Sequence, residues 1–253
     1  GWRSAVLWSA ILIGTGSLAG FLWIESRQAH PMLPLRLFRS RQFVGANATT
    51  LAVYFGLSGA FFLLMLQLQQ VLGYSPFIAG ASFAPVTVLL LVLSPVASRL
   101  AVRRGYRAPM TVGPLIAGVG MLWMSAIGPG ARYFADVFPG VLLLGLGLSL
   151  TVAPLTPAVL ESVDSQYAGV ASGVNNAVAR IAGLLGVALV PLAGGALPID
   201  LTNASAFTEG FRRGMWSAGL ACFLGALSSL LTLGRENHGA RVTESNRRPH
   251  SLR

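Results

Sequence analysis

From Phe43 to Ser98 the chain carries no Asp, Glu, Lys or Arg, and the same silence returns at 108–131, 137–160, 181–199 and 214–234. Within these runs apolar residues are continuous rather than alternating. About 20 such residues are needed for a helix to cross the ~30 Å hydrocarbon core of a bilayer. The pattern therefore predicts an all-α integral membrane protein with about seven transmembrane helices. The spans are Ser4–Ile24, Phe43–Leu68, Phe77–Ser98, Ala108–Ile127, Asp136–Leu155, Ala168–Val190 and Gly214–Leu233. A membrane-spanning β-barrel does not fit, because its strands alternate over about 10 residues. Breaks fall at Gln69 to Pro76, at Gly105, at Gly128-Pro129-Gly130, and over the long stretch from Gly194 to Arg213. These are turn-forming compositions.

Composition sharpens this picture. The chain is 54% hydrophobic and only 10% charged, with a mean hydropathy of +0.67, against about 25% charged in soluble domains. The net charge of +10 could suggest nucleic acid, but all 18 basic residues are Arg and nearly all lie between the apolar runs. That placement signals topology and not nucleic-acid binding. One set of alternate segments holds Arg27, Arg36, Arg39, Arg41, Arg99, Arg103, Arg104, Arg107 and the arginines from Arg235 onward; the other holds Arg3, Arg132, Arg212 and Arg213. The richer set is predicted to be cytoplasmic. The first residue would then lie outside and the C-terminus inside a bacterial plasma (inner) membrane. The polar tail from Arg235 is expected to be disordered. Cys222 is the single cysteine, which excludes an intramolecular disulfide or a multi-cysteine metal site. A start at Gly1, directly before an apolar run, reads as the C-terminal part of a longer protein or as a truncated gene.

A few residues break the apolar rule. Arg180 stands near the middle of its span, where an arginine costs about 2.5–3.5 kcal/mol on insertion scales. Asn176 precedes it by four residues, on the same helical face, with Asn175 alongside. This set either lines a pathway and switches between partners, or is a fixed clamp onto backbone carbonyls. Gly169 and Gly173 form a small-xxx-small pair in the same span, which predicts a helix–helix interface and not a lipid face. In the second span Asn47, Tyr54 and Ser58 recur at intervals of seven and four, which places them on one face. With Phe62 and Met65 they suit a cavity wall for mostly apolar ligands, although ordinary inter-helix packing would use the same residues. Pro154 and Pro157 mark either a gate or the end of the fifth span. The segment Pro34 to Arg41 reads as a short interfacial helix, with Leu35, Leu37 and Phe38 at the boundary and its arginines at anionic head groups, or as a plain basic loop.

Chemistry is sparse. His30, His238 and His250 lie in loops or tail, and no carboxylate lies deep in a span: Asp136 is at an edge, Glu161 and Asp164 in a loop. There is no catalytic dyad, no phosphate-binding GxxxxGK[ST] and no metal-ligand cluster. An enzyme is not expected, and no cofactor or metal is implied.

Three segments carry a family resemblance: HPMLPLRLFRSRQF (His30–Phe43), LQLQQVLGYSPFIAGASFAP (Leu66–Pro85) and AGVASGVNNAVARIAGLLGVA (Ala168–Ala188). In this order and spacing they resemble the C-terminal half of the fourteen-span drug:proton antiporters of the major facilitator superfamily. The loop Ser98–Arg107, with Arg99, Arg103, Gly105 and Arg107, resembles the superfamily's basic loop, with Val102 where an Asp is usual. The resemblance implies a linker helix at 1–24, a cytoplasmic basic or interfacial segment at 25–42, a six-helix C-terminal bundle at 43–234 built as inverted repeats, and a cytoplasmic tail at 235–253. It also implies that the first and fourth bundle helices line a cavity while the second and fifth face a missing N-terminal six-helix bundle. The implied partners are the lipid bilayer, that missing bundle and a lipophilic small-molecule substrate. The implied activity is proton-coupled multidrug efflux by alternating access, energised by the proton gradient. With no deep acid here, the coupling residues are expected in the other half. Alternatives are a dedicated exporter of one endogenous metabolite and, in a different class, a non-transporting membrane scaffold or assembly subunit.

Overall fold

The computed structural model describes residues 5–28, 32–195 and 204–234. The predicted disordered tail, His30, Arg3 and the arginines from Arg235 onward lie outside the described residues. Eight α-helices are seen among the described residues: α1 Ala5–Glu25, α2 Arg41–Leu66, α3 Pro76–Ala81, α4 Ala84–Arg104, α5 Arg107–Met124, α6 Phe138–Glu161, α7 Ala168–Ala193 and α8 Ala204–Thr232. Five continuous stretches are long and apolar enough to cross a membrane: Arg41–Val71, Pro76–Arg104, Tyr133–Glu161, Ser165–Ala193 and Ala204–Thr232. The chain is an all-α, multi-pass membrane protein. Of the seven expected spans, the two outside this set are α1 and the 18-residue α5. The latter is wedged between α6 and α8, and its glycines and prolines lower its hydropathy.

The predicted boundaries shift for identifiable reasons. Ser40 caps α2, its hydroxyl accepting from the Phe43 amide at 3.3 Å, so the helix starts at Arg41. It runs past Leu66 into a π-helical turn, Gln67–Val71. The third expected span is interrupted at Ser82 and Phe83, which divide α3 from α4 ahead of Pro85. The predicted basic loop Ser98–Arg107 contracts to Gly105 and Tyr106: Arg99, Arg103 and Arg104 ride exposed on the last turns of α4, and Arg107 opens α5. Gly105 ends α4 with φ of 92°, a conformation that favours glycine at a helix C-terminus. Neither Pro154 nor Pro157 ends α6, which continues to Glu161. The last helix begins well before Gly214. Arg212 and Arg213, expected in a loop, are helical and pair with Glu209 at 2.7 and 2.9 Å, at the i,i+3 and i,i+4 spacings where helical neighbours meet.

The packing repeats itself. Helix α2 lies against α7 and α8, α6 lies against α4 and α5, and α5 packs on α8. Exchanging α2 with α6, α4 with α7, and α5 with α8 reproduces the principal contacts. Helix α2 starts at the arginine-rich end of the bundle and α6 at the opposite end, so the two three-helix units are inverted relative to each other. Glycines set the spacing within this frame. A Cβ on Gly120 would lie 2.9 Å from the Gly140 carbonyl oxygen, so α5 and α6 touch backbone to backbone.

Two cores result. One, at the arginine-rich end, gathers Leu37, Phe43, Tyr106, Met110, Leu155 and Leu233. The larger fills the remainder of the bundle around Leu63, Met121, Leu144, Phe211 and Met215. Helices α4 and α7 are the least enclosed of the spanning stretches, and each leaves a long face uncovered.

Candidate functional site

The polar residues singled out from sequence converge on the seam between α2 and α7, which run parallel from the arginine-rich end. The Asn175 amide donates to the Asn47 side-chain oxygen at 3.2 Å and to the Thr50 hydroxyl at 2.7 Å. Asn47 in turn donates to the Phe43 carbonyl at 2.9 Å, and Thr50 to the Ala46 carbonyl at 3.0 Å. Asn47 and Thr50 are buried, and Asn175 is half-buried. Farther along the seam the Ser58 hydroxyl lies 3.2 Å from where a Gly183 Cβ would stand, and a Gly59 Cβ would be 2.8 Å from the Gly186 carbonyl oxygen. The seam is thus polar at one end and glycine-lined at the other.

Tyr54 packs half-buried against the core of the arginine-rich end, and Met65 rests against the larger core. Phe62 is half-buried. The five expected cavity residues therefore share α2, but Asn47 and Ser58 point toward α7 rather than into open space. Thr50 completes the amide cluster; the sequence showed it only as one polar residue of the second span, because a threonine in an apolar run usually bonds back to its own helix. Only its second contact, to Asn175, shows its role. A double-mutant cycle of Asn175→Ala with Thr50→Ala should give a coupling of roughly 0.6 kcal/mol, with about 1.7 as an upper bound. Thermal unfolding in detergent reads it, and strict additivity would mean the bond contributes nothing.

The rest of the α7 set divides. Gly169, Gly173, Asn176 and Arg180 are all exposed. A Cβ on Gly169 or Gly173 would meet nothing within 4 Å. Inside this bundle these two glycines touch no other helix; the close approach to α2 is made by Gly183 and Gly186, one face away. Arg180 has no acidic or hydrogen-bonding partner among the described residues. It stands mid-helix on the uncovered face, one and two turns beyond Asn176 and Gly173.

Two further polar positions matter: Gln67, which the sequence showed as a polar residue of the second span without giving it a role, and Glu25, which it did not single out. Gln67 sits fully buried in the π-helical turn, its amide donating to the Ile127 carbonyl at 2.8 Å and to Thr208 at 3.2 Å. Glu25 closes α1, buried, and accepts from the Leu33 amide. At the arginine-rich end the Tyr106 hydroxyl donates to Glu161 at 2.6 Å, tying the α4–α5 connection to the end of α6. Burial, and then the bond to Glu161, hold the Tyr106 hydroxyl above its ordinary range. A cavity of about 260 Å³ beside this pair is lined by Arg41, Gly105, Tyr106, Glu161 and Leu233.

An inverted-repeat helix bundle of this kind invites comparison with transporters. A sequence model of the Major Facilitator Superfamily matches residues 1–187. The chain belongs to the Major Facilitator Superfamily. Its relatives within the superfamily are resistance proteins, as the resemblance to drug exporters implied. It is 32% identical over 194 residues to the multidrug resistance protein Stp of Mycobacterium tuberculosis, covering 75% of this chain and 35% of that protein. It is 30% identical over 245 residues to the methylenomycin A resistance protein of Streptomyces coelicolor, covering 96% and 50%. It is 27% identical over 240 residues to the quinolone resistance protein NorB of Staphylococcus aureus, covering 94% and 50%. The chain therefore spans half or less of the length of these superfamily relatives.

Proposed function

We propose that this chain is the second six-helix bundle, with a preceding linker helix, of a proton-coupled exporter of lipophilic small molecules working by alternating access. In this reading α1 is the linker, 25–42 a cytoplasmic interfacial segment, 43–234 the bundle and 235–253 the cytoplasmic tail. The arginine-rich end faces the cytoplasm. The observation that carries the reading is the packing: an inverted pair of three-helix units with the symmetry-equivalent helices α4 and α7 each left with an uncovered face. That is what one rocking half of such a transporter requires. The exposed stripe Gly169, Gly173, Asn176 and Arg180 on α7 then meets the other bundle, with Arg180 as its conformational switch. Tyr54, Phe62 and Met65 belong to the cavity wall for the substrate, while Asn47 and Ser58 hold that wall against α7. The basic turn of Arg99, Arg103, Gly105 and Arg107 is its cytoplasmic hinge. No cofactor is needed beyond the proton gradient, and the group that binds the proton is supplied by the other bundle, since the carboxylates among the described residues cluster toward helix ends: Glu25, Asp136, Glu161, Asp164 and Glu209.

The test is transport by the full-length protein in proteoliposomes under an imposed pH gradient. A fluorescent lipophilic cation should accumulate, and an uncoupler should abolish accumulation. Residues 1–253 alone should transport nothing. Robust efflux by residues 1–253 alone, or uptake indifferent to the gradient, would sink the reading. A second reading is export of one endogenous metabolite, favoured by the methylenomycin A resistance relative, whose name carries a single compound. A panel of unrelated lipophilic compounds separates the two, since only the multidrug reading predicts that several are moved.

A further inference from the structure

Leading into α2, residues 35–41 present an apolar pair beside exposed arginines. Residues Leu35–Arg39 form a single 3-10 turn. In such a turn side chains three apart eclipse one another, so the segment sorts into three faces. Leu37 and Ser40 turn inward: Leu37 is buried in the core of the arginine-rich end, and the Ser40 hydroxyl donates to the Ser162 carbonyl at 3.4 Å. Leu35 and Phe38 turn outward, 41% and 44% exposed. Arg36 and Arg39 occupy the third face and are exposed. Arg41 follows at the first residue of α2, also exposed.

The turn is fastened in place. Arg36 donates to the Tyr167 hydroxyl, its guanidinium carbon 4.7 Å from the centre of that ring. The Phe38 ring meets the buried Phe43 ring edge-on at 5.5 Å. These contacts pin the strap across the connection between α6 and α7. They leave Arg39 and Arg41 without a carboxylate partner among the described residues. An apolar pair beside unpaired arginines, at the point where α2 enters the membrane, matches the layering of a bilayer surface. At such a surface acyl chains meet apolar side chains and phosphates meet cationic ones.

We propose that the Leu35–Arg41 strap is a docking site for the head group of an anionic phospholipid, with Arg39 and Arg41 binding the phosphate and Leu35 and Phe38 seated on the upper acyl chain. Its occupant is the surrounding bilayer, so the site does not depend on what the protein transports. Because Arg36 and Leu37 bind the same strap to the bundle, lipid there also clamps the α6–α7 connection.

The experiment is hydrogen–deuterium exchange on the full-length protein in nanodiscs of phosphatidylcholine alone or mixed with phosphatidylglycerol. Phosphatidylglycerol should slow exchange across 35–40, and each arginine should account for about a fivefold effect. Arg39→Gln with Arg41→Gln should remove the difference between the two lipids while leaving exchange in α2 and α7 unchanged. These side chains are exposed and Arg36 is retained, so the strap stays attached. Arg104→Gln, on the neighbouring basic turn, should leave the difference intact. Equal exchange in the two lipids, or a lipid effect that survives the double variant, overturns the site. So does an equal slowing by free glycerol phosphate in phosphatidylcholine nanodiscs, because the site would then select a soluble anion and not a lipid.

Discussion

Gly186→Val in the full-length protein should abolish the folded state, while Gly173→Val should leave the bundle intact. A Cβ on Gly186 would lie 2.9 Å from the Phe55 carbonyl carbon and closer still to its oxygen. These are backbone atoms of α2, which cannot swing aside as a side chain can. Overpacking a well-packed core ordinarily costs about 1–3 kcal/mol. A clash of two helix backbones forces the whole α2–α7 seam apart and should exceed that range, breaking the Asn175 bonds to Asn47 and Thr50 with it. At Gly173 nothing lies within 4 Å of the added carbon. Size-exclusion chromatography of detergent-solubilised protein distinguishes them: Gly186→Val should run as aggregate, Gly173→Val as a single peak. A stable Gly186→Val protein would mean that α2 and α7 do not pack as described. Transport by Gly173→Val carries a second result. If the α7 stripe meets another bundle, this variant should be folded but slow.

Arg180→Ala tests that face from its charged end. The side chain is exposed halfway along a membrane-spanning helix and lacks a partner among the described residues. A cation at that depth is costly unless protein or water receives it. If the full-length protein transports as proposed, Arg180→Ala should insert normally and slow transport by at least tenfold, with Arg180→Lys restoring part of the rate. Thermal stability separates the two roles the sequence left open. A switch loses rate with little change in unfolding temperature, whereas a fixed clamp loses both. Wild-type transport by a normally inserted Arg180→Ala protein would remove Arg180 from the mechanism.

The amide pair shows how far a sequence pattern reaches. Asn47 and Asn175 stood out because each interrupts an apolar run, and both proved to meet. The pattern could not reveal that they meet each other, since they are 128 residues apart. Gly169 and Gly173 stood out as small residues at helical spacing, yet within this bundle it is Gly183 and Gly186 that touch α2. Spacing along one helix fixes which residues share a face. It says nothing of what that face meets.

The same limit governs boundaries. Apolar runs located the bundle helices, with Arg180 interrupting α7, but α8 starts earlier than its run, where Glu209 pairs with both Arg212 and Arg213 about one helical turn on. The basic loop shortened because only Gly105 has the freedom to end α4. Local hydrogen bonding and pairing can carry a helix through charged residues that a hydropathy pattern assigns to solvent.

By itself the sequence determined the solvent of this protein, its helical class and its family, because burial in lipid constrains every position of a spanning helix. The tertiary structure decided which helices touch. It set the inverted pairing of α2, α4 and α5 with α6, α7 and α8, joined Asn175 to Thr50, and placed Arg180 on an uncovered face. Those outcomes depend on backbone approach distances between segments far apart in the chain, which no local pattern encodes.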